Sequence, residues 1–451
     1  MTESNNIPKH WQPKKLGEVC KLKNGYAFKS DKYKTEGVPV IRISDINGGI
    51  VSSNKAVRVH SIEDYENYLV ENNDILVAMS GATTGKFGVY KSTEKAYQNQ
   101  RVGKFKILDK RILDNQFLYY QINSLKRQIE KDAYGGAQPN ISSTKIEQMQ
   151  IVLPPLSEQQ AIVSKIEELF SELDNGIAQL KTAQQQLKVY RQSLLKWAFE
   201  GKLTSSELGF VGLQDDKIIE KDNKKEILKS TNLKNPNSDK GELPKGWKVE
   251  NMGSVIEKPK YGTSKKCDYG IIGKAVIRIP NIGNGIVDNS DLKFAEFDNS
   301  EIETYELKEG DILTIRSNGS VDLVGKCALI KKFDEDYLFA GYLIRLRPLS
   351  DVIMSKFLLY VLSSHDLRKQ IESKAKSTSG VNNINTDELK SLLIPLCSLE
   401  QQQLIVSELE SKLTVCDKIE ETISQSLQQA ETLRQSILKK AFEGKLVKMK
   451  P

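Results

Sequence analysis

From Ser157 to Leu203 the chain reads SEQQAIVSKIEELFSELDNGIAQLKTAQQQLKVYRQSLLKWAFEGKL, and from Glu400 to Leu446 it reads EQQQLIVSELESKLTVCDKIEETISQSLQQAETLRQSILKKAFEGKL. Extended back to Ile151 and Ile394 and laid together without a gap, at an offset of 243, the two stretches agree at about two positions in five. The chain is therefore a duplicated unit, and everything else is arranged around these two segments.

In the first copy the apolar residues run Ile162, Ile166, Leu169, Leu173, Ile177, Leu180, Leu187, Tyr190, Leu194 and Ala198; in the second, Ile405, Leu409, Leu413, Cys416, Ile423, Leu427, Leu433, Ile437 and Ala441. Steps of three and four held this long are the seam of a coiled coil. Prolines precede each segment (Pro154, Pro155; Pro395), a Ser-x-x-Gln box opens it (Ser157 to Gln160; Ser398 to Gln401), and Gly201 or Gly444 follows it. Each helix should span about 44 residues, or about 65 Å. Packing of each helix on its own domain as an ordinary core element is the competing reading, but such a helix outruns a domain of about 150 residues. Gln184 and Glu420 interrupt the stripe, and as buried polar seam residues they are expected to select one pairing.

Length and composition bound the rest. A chain of 451 residues implies two or three domains. A net charge of +7 and a pI near 8.8 are compatible with nucleic acid but do not demonstrate it. Five cysteines, Cys20, Cys267, Cys327, Cys397 and Cys416, are scattered without a Cys-x-x-Cys pair, and only three histidines could join them. That spacing points to reduced thiols in a cytoplasm and away from structural zinc or a disulfide framework. The first residues are polar, and no run of 18 apolar residues occurs, so neither export nor a membrane span is expected.

Before each helical segment lies a globular unit, and these too align: Val40-Ile-Arg-Ile43 with Val276-Ile-Arg-Ile279, Gly49-Ile-Val51 with Gly285-Ile-Val287, Asp74-Ile-Leu76 with Asp311-Ile-Leu313, Gln128-Ile-Glu130 with Gln370-Ile-Glu372. Between these anchors the copies share little, as expected of loops that recognise different things. Short strands are predicted at Val38–Ile43, Ile75–Met79, Gly88–Tyr90 and Val102–Ile107, and at Ala275–Ile279, Ile312–Ile315, Ala328–Ile330 and Leu343–Leu346. Helical segments follow at Gln116–Lys131 and Ser355–Lys374. The expected order is a globular domain over 1–156, a long helix over 157–203, a linker over 204–243, a second globular domain over 244–399, a second long helix over 400–446 and a tail over 447–451. The 204–243 stretch, rich in Lys, Asp, Glu, Asn and Ser and without periodicity, reads as a linker.

No catalytic signature survives inspection. Gly81-Ala-Thr-Thr-Gly85-Lys86 has three residues between its glycines where a phosphate-binding P-loop has four, and Phe87 stands where Ser or Thr should hold magnesium. No glycine-rich methyl-donor loop is found, and no nucleophile, base and orienting group can be named. Binding is better supported. One loop in each copy gathers glycine with aromatic and basic residues, carrying Lys23, Tyr26 and Lys29 in the first and Tyr261, Thr263, Ser264, Lys265 and Lys266 in the second. Another follows a strand and bunches hydroxyls, amides and cations: Ser80, Thr83, Thr84 and Lys86, then Arg316, Ser317, Asn318, Ser320 and Lys326. A third carries Gln138 and Asn140, and Ser379 and Asn382. Such loops suit phosphates and base edges, and Arg316 and Asn318 could make bidentate contacts to guanine or adenine. Hairpin turns explain any one of them equally well; three recurring in both copies do not fit that explanation as easily.

On these residues the chain resembles the specificity subunit of type I restriction-modification systems. The likeness rests on Leu153-Pro-Pro-Leu-Ser-Glu-Gln159, on Ala198-Phe-Glu-Gly-Lys-Leu203 and Ala441-Phe-Glu-Gly-Lys-Leu446, and on Arg316-Ser-Asn-Gly-Ser320, and it spans almost the whole chain. Cys397-Ser398 departs from the proline pair of the first helix entry. The resemblance implies an α+β fold with two mixed α/β target-recognition domains separated by a long antiparallel two-helix coiled coil, duplicated with pseudo-two-fold symmetry. It implies a non-catalytic protein that binds a bipartite, asymmetric double-stranded DNA site and docks two modification (methyltransferase) subunits, with restriction subunits added for cleavage. S-adenosylmethionine, ATP and magnesium then belong to those partners, and no cofactor is expected here. The coil would act as a ruler between half-sites, and Trp197, Phe199, Leu203, Phe442 and Leu446, apolar residues at exposed helix ends, would seat the modification subunits. A DNA-binding scaffold without a methyltransferase partner and a protein-only coiled-coil adaptor are the alternatives.

Overall fold

The computed structural model describes residues 7–61, 63–133, 139–203, 243–283, 285–375 and 380–447. The predicted linker falls, apart from Leu243, outside the described residues, as do Gln138 and Ser379. Two compact units are present, one formed by residues 1–181 with 424–451 and the other by residues 182–423. The packing thus groups the chain differently from its linear order, because each long helix contributes one segment to each unit.

In the first unit the strand Gln12–Lys15 runs antiparallel to Gln150–Leu153, so the chain returns to its starting edge before the first long helix. A six-stranded sheet places Cys20–Asn24, Val102–Ile107, Ile75–Ala78, Phe87–Tyr90, Gly49–Val51 and Ile46–Asn47 side by side, and a four-stranded sheet is built on Val38–Ile41. Alternation buries Leu22, Ile75, Val77, Val89 and Phe105 under helix α1 (Asn115–Ala133). The same core takes in Ile162, Ile166 and Phe170 from helix α2 (Leu156–Phe199) and, from the second long helix, Ile437, Leu438, Ala441 and Phe442.

The second unit repeats this plan. Lys248–Asn251 runs antiparallel to Leu393–Leu396, and Lys260–Tyr261, Leu343–Leu346, Ile312–Ile315 and Cys327–Leu329 form its main sheet. The Ser355–Lys374 helix of the sequence reading is two helices, α3 (Ser355–Ser363) and α4 (His365–Lys374), because Ser364 takes an extended conformation between them. Helix α5 (Leu399–Phe442) follows. Its Ile405, Val406, Leu409 and Cys416 share a core with Leu187, Leu194, Leu195, Ala198 and Phe199 of α2.

Within each unit the long helices run antiparallel. In the first, Glu158, near the start of α2, accepts hydrogen bonds from Trp11 Nε1 and shares another with His10, each at 2.8 Å, while Gly444, just past α5, packs on Pro8 and Trp11. In the second, Gln402 near the start of α5 holds the Met354 amide at 2.8 Å, and Phe199 at the end of α2 lies on Phe357 one turn away. Both helices span 44 residues and are followed, two residues on, by glycines with φ of +71° and +72°, after which the next amide returns to a carbonyl five residues back (Lys202 to Trp197, 2.9 Å; Lys445 to Lys440, 2.8 Å).

Three helix details differ from expectation. The Ser398 hydroxyl does cap α5 through the Gln401 amide, but Ser157 lies inside α2, whose first free amides donate instead to Pro155 O. Gln184 is exposed rather than buried in the seam, and Glu420 is exposed and ion-paired to Arg191 at 2.9 Å. Tyr190 and Leu433 turn outward, at 41% and 50% exposure, and the equivalent seam positions are filled by Arg191 and Arg434. Stepping 187, 191, 194, 198 is as good a heptad as stepping 187, 190, 194, 198, and arginine's long stem lines an apolar seam while its head reaches water.

Candidate nucleic-acid interface

The strand that opens each main sheet is followed by a glycine, and at that glycine the chain crosses another segment's backbone. A Cβ on Gly25 would strike the carbonyls of Gln98 and Asn99, and one on Gly262 would strike those of Phe339 and Ala340. Only glycine fits at either crossing. Beyond it the Tyr26 amide donates to Gln98 O at 2.9 Å and the Gln100 amide donates to Tyr26 O at 2.8 Å; in the second unit the Thr263 amide donates to Phe339 O and Gly341 to Thr263 O, at 2.8 and 2.7 Å. The first recognition loop of each copy is thereby pinned to a polar turn, Asn99-Gln-Arg101 or Ala340-Gly-Tyr342.

That turn is tied in its own right to the second loop. Met79 donates its amide to Arg101 O at 2.9 Å, and Arg316 donates its amide to Tyr342 O at the same distance. The second loop is in turn bridged to the third. Ser80 pairs with Asn140 in the first unit, and Ser317–Asn318 forms a two-stranded ribbon with Asn382–Asn383 in the second. Ile141 and Ile384 donate their amides to Met79 O and Arg316 O at 2.9 and 2.8 Å, so Met79 and Arg316 occupy one and the same place in two copies of one scaffold. The three loops anticipated from the sequence therefore converge on one face in each unit.

The side chains divide clearly. Lys23, Tyr26, Lys29, Lys86 and Asn140 are exposed in the first unit, and Tyr261, Ser264, Lys266 and Ser320 in the second; Thr83, Arg316, Ser317, Asn318, Lys326 and Asn382 are half-buried at the same faces. Among the described residues Lys23, Lys29, Lys86, Lys266 and Arg316 have no carboxylate within ion-pair distance. Tyr26 packs with Phe28, Tyr65 and Tyr68, ring centroids 5.0, 4.8 and 5.4 Å away, which fixes its ring while leaving one side open.

Other anticipated contacts are structural. Thr84 is buried and its hydroxyl donates to Gly81 O at 2.6 Å and Pro139 O at 3.1 Å, holding the second loop to the third. Thr263 is buried and its Oγ1 accepts the Lys265 amide at 3.0 Å. The Lys265 ammonium is occupied by Glu301 at 2.6 Å and Glu296 O at 2.7 Å, over the Phe297 ring. Ser80 Oγ is buried without a hydrogen-bond partner among the described residues, and Asn318 Oδ1 accepts the Ser320 amide at 2.9 Å.

The helix ends depart further from expectation. Phe199, Leu203 and Phe442 are buried in the cores of their units, and Trp197 and Leu446 are half-buried against them. These residues close the domains and do not offer the exposed apolar surface expected of them. The two turns belong to the same face, although no expectation from the sequence fell on them. Gln100 and Arg101 are exposed, Tyr342 is 63% exposed, and Asn383 Oδ1 accepts from Arg316 Nε at 3.3 Å. The run Gln98-Asn-Gln-Arg101 ahead of a strand was the available signal, whereas Tyr342, a lone aromatic just before the apolar strand Leu343–Leu346, gave none.

Among the described residues no His, Cys, Asp or Glu cluster could hold a metal ion, and no helix is long and apolar enough to cross a membrane. Comparison with known proteins agrees with the duplicated architecture. The family described as "Type I restriction modification DNA specificity domain" matches twice, over residues 8–182 and 244–429. The chain is 27% identical to the specificity subunit of the type I restriction enzyme EcoKI from Escherichia coli K12, covering 98% of this chain and 90% of that one. It is 23% identical, over 98% and 94%, to the MjaVIII specificity subunit of Methanocaldococcus jannaschii. Among solved structures, one reported for complex assembly and conformational transition of the type I R-M system matches with a TM-score of 0.72 at 19% identity, over 97% of this chain and 99% of that one. The HsdS subunit of Thermoanaerobacter tengcongensis matches with a TM-score of 0.54 at 18% identity, over 97% and 98%. Two loop-bearing domains, two long helices and two matches to one recognition module place this chain in the type I restriction-modification DNA specificity family.

Proposed function

We propose that this specificity subunit reads a bipartite, asymmetric site in double-stranded DNA, one half-site by each three-loop face. The observation that carries this reading is one scaffold built twice with a different residue where its loops meet, Met79 in one copy and Arg316 in the other, each followed by a serine. Phosphate contacts from Lys23, Lys29, Lys86 and Lys266 would hold the duplex without discriminating sequences, so discrimination falls to groups facing base edges, Asn140, Asn382 and Arg316 among them. The long helices act as the ruler, and their length sets the number of unread base pairs between half-sites, at about 3.4 Å per base pair. Two modification subunits dock on this chain and restriction subunits join for cleavage. S-adenosylmethionine, ATP and magnesium are assigned to those partners and none to this chain, which acts in the cytoplasm as the non-catalytic member of the assembly.

Co-expression with a modification subunit and sequencing of the methylated genome tests this. The expected result is a two-part motif with a fixed gap, in which Asn382→Ala changes one half and Asn140→Ala the other. Both halves changing together, or a contiguous motif, would overturn it.

A further inference from the structure

Of the six arginines in the second unit, Arg191, Arg278, Arg347 and Arg368 each face a carboxylate within 4.0 Å, and Arg345 is buried with its guanidinium on Glu306 O. Arg316 differs from all of them. It sits half-buried where the three loops meet, and no carboxylate lies within ion-pair distance of it among the described residues. Its guanidinium carbon lies 4.5 Å from the centroid of the Tyr261 ring, and its Nε donates to Asn383 Oδ1 at 3.3 Å. Tyr261 is anchored in turn, its Oη accepting the Thr386 amide at 3.3 Å. One face of the guanidinium is covered and its inner edge is occupied, which leaves the two terminal nitrogens as the edge available to a ligand.

We infer that Arg316 reads a guanine in the half-site of the second domain through its two terminal nitrogens, and that Tyr261 and Asn383 are the positioning residues that aim it. The inference rests on the DNA-reading function proposed above and adds the base and the residues that select it. Two parallel donors in a fixed plane match the O6 and N7 acceptors of guanine in the major groove, whereas adenine offers a donor at the O6 position. A guanidinium held by a ring and an amide has already lost the freedom that binding would otherwise remove, so its preference shows as specificity as well as affinity. The first unit places the buried, neutral Met79 at this point, so the two half-sites need not share the base.

The test uses the full chain in complex with its modification subunit, reading the methylated motif genome-wide and then methylation of synthetic duplexes carrying it. Arg316→Ala is expected to relax one guanine in one half-site by about 10- to 100-fold and leave the other positions intact. Tyr261→Ala should relax the same position, and Tyr261→Phe, which keeps the ring and gives up only the Thr386 contact, should relax it clearly less. Replacing each guanine of the motif in turn with 7-deazaguanine, which lacks N7, should slow methylation at that one position for the wild type and leave the Arg316→Ala complex indifferent. The wild-type arm of the 7-deazaguanine experiment needs no variant to fold. A uniform loss across all sequences with an unchanged motif would make Arg316 a phosphate contact and overturn the inference, as would a motif whose relaxed half lacks guanine. Absence of any two-part motif in the wild type would instead strike the proposed function itself.

Discussion

Phe442, the last residue of α5, meets Phe117 of the first domain edge-on, with ring centroids 5.5 Å apart and planes at 73°. Phe199, the last residue of α2, meets Phe357 in the same way at 5.4 Å and 83°. Each globular domain is therefore closed by the helix end of the other repeat, and residues distant in sequence complete its core. Truncating a buried phenylalanine costs about 3–5 kcal/mol when the cavity does not collapse. Phe442→Ala is expected to lower the urea midpoint accordingly, with Phe442→Leu costing about 1 kcal/mol and the exposed Leu433→Ala close to nothing. Equal midpoints for Phe442→Ala and Leu433→Ala would show that this closure contributes no stability.

A second device joins each domain to its helix. Gln159 and Gln402 are fully buried, and every hydrogen bond of their amides goes to the loop before the domain's helix or to the residues that open the long helix. Gln402 Nε2 donates to Val352 O and Cys397 O at 3.1 and 2.9 Å, and its Oε1 accepts the Met354 amide at 2.8 Å. Gln159 does the same with Ile112 O, Pro154 O and the Asp114 amide. Gln402→Leu keeps the bulk and leaves three buried polar groups unpaired, which should cost about 2–4 kcal/mol. The neighbouring exposed Gln403→Ala is the control, expected within about 0.5 kcal/mol of wild type in the same unfolding experiment.

Where the helices pair, Arg434 contacts Asp174 and covers the Phe170 ring at 4.5 Å, and Arg191 contacts Asp417 at 2.7 Å and Glu420 at 2.9 Å. The acids are more than half exposed, so the charge pairs themselves should each be worth at most about 1 kcal/mol. Arg434→Ala is nevertheless expected to destabilise more than Asp174→Ala, because it removes the ring contact and the packed stem as well. A double-mutant cycle should give a coupling below about 1 kcal/mol that shrinks in high salt. A larger, salt-independent coupling would mean the pair is effectively shielded from solvent.

These arginines also mark where reading the sequence stops. Length, ends and partner stripe of the long helices were legible because apolar spacing and the terminal glycines are local signals. The choice between Tyr190 and Arg191 for one seam position was not, since hydropathy ranks tyrosine inward and says nothing of an arginine stem lying along a groove. For the same reason Phe199 and Phe442 read as exposed ends: the surface that buries them belongs to the other repeat, more than a hundred residues away in sequence. At the recognition face the loops were legible from glycine, hydroxyl and basic clusters. The separation of Thr84, Thr263 and Lys265, which hold loops together, from Lys86, Lys266 and Arg316, which face no acid among the described residues, needed the tertiary contacts.

Cysteine chemistry offers a check on one of those loops. Burial pushes the Cys20 thiol up to about 12 with help from Glu147, and pushes Cys327 and Cys397 up to about 11. Since thiolate is the reactive form, these thiols should be inert to alkylating reagents at pH 8. Their raised values mean that the folded chain keeps protons the unfolded chain releases near its ordinary value of 9.0, so stability should fall as pH rises above about 9. Cys416 is also buried, and burial raises it too. Cys267 is only half-buried, its Sγ lying 3.3 Å from Lys265 O beside the exposed Ser264 and Lys266. Burial raises Cys267 too, so it is access and not acidity that sets it apart: one thiol should react in the native protein, slowly, and five after unfolding. Duplex carrying the recognised motif should slow that single reaction, because a loop that touches DNA through Lys266 cannot leave its neighbour open to reagent. Labelling of Cys267 at an unchanged rate under saturating duplex would remove this loop from the interface, whatever the remaining two loops contact.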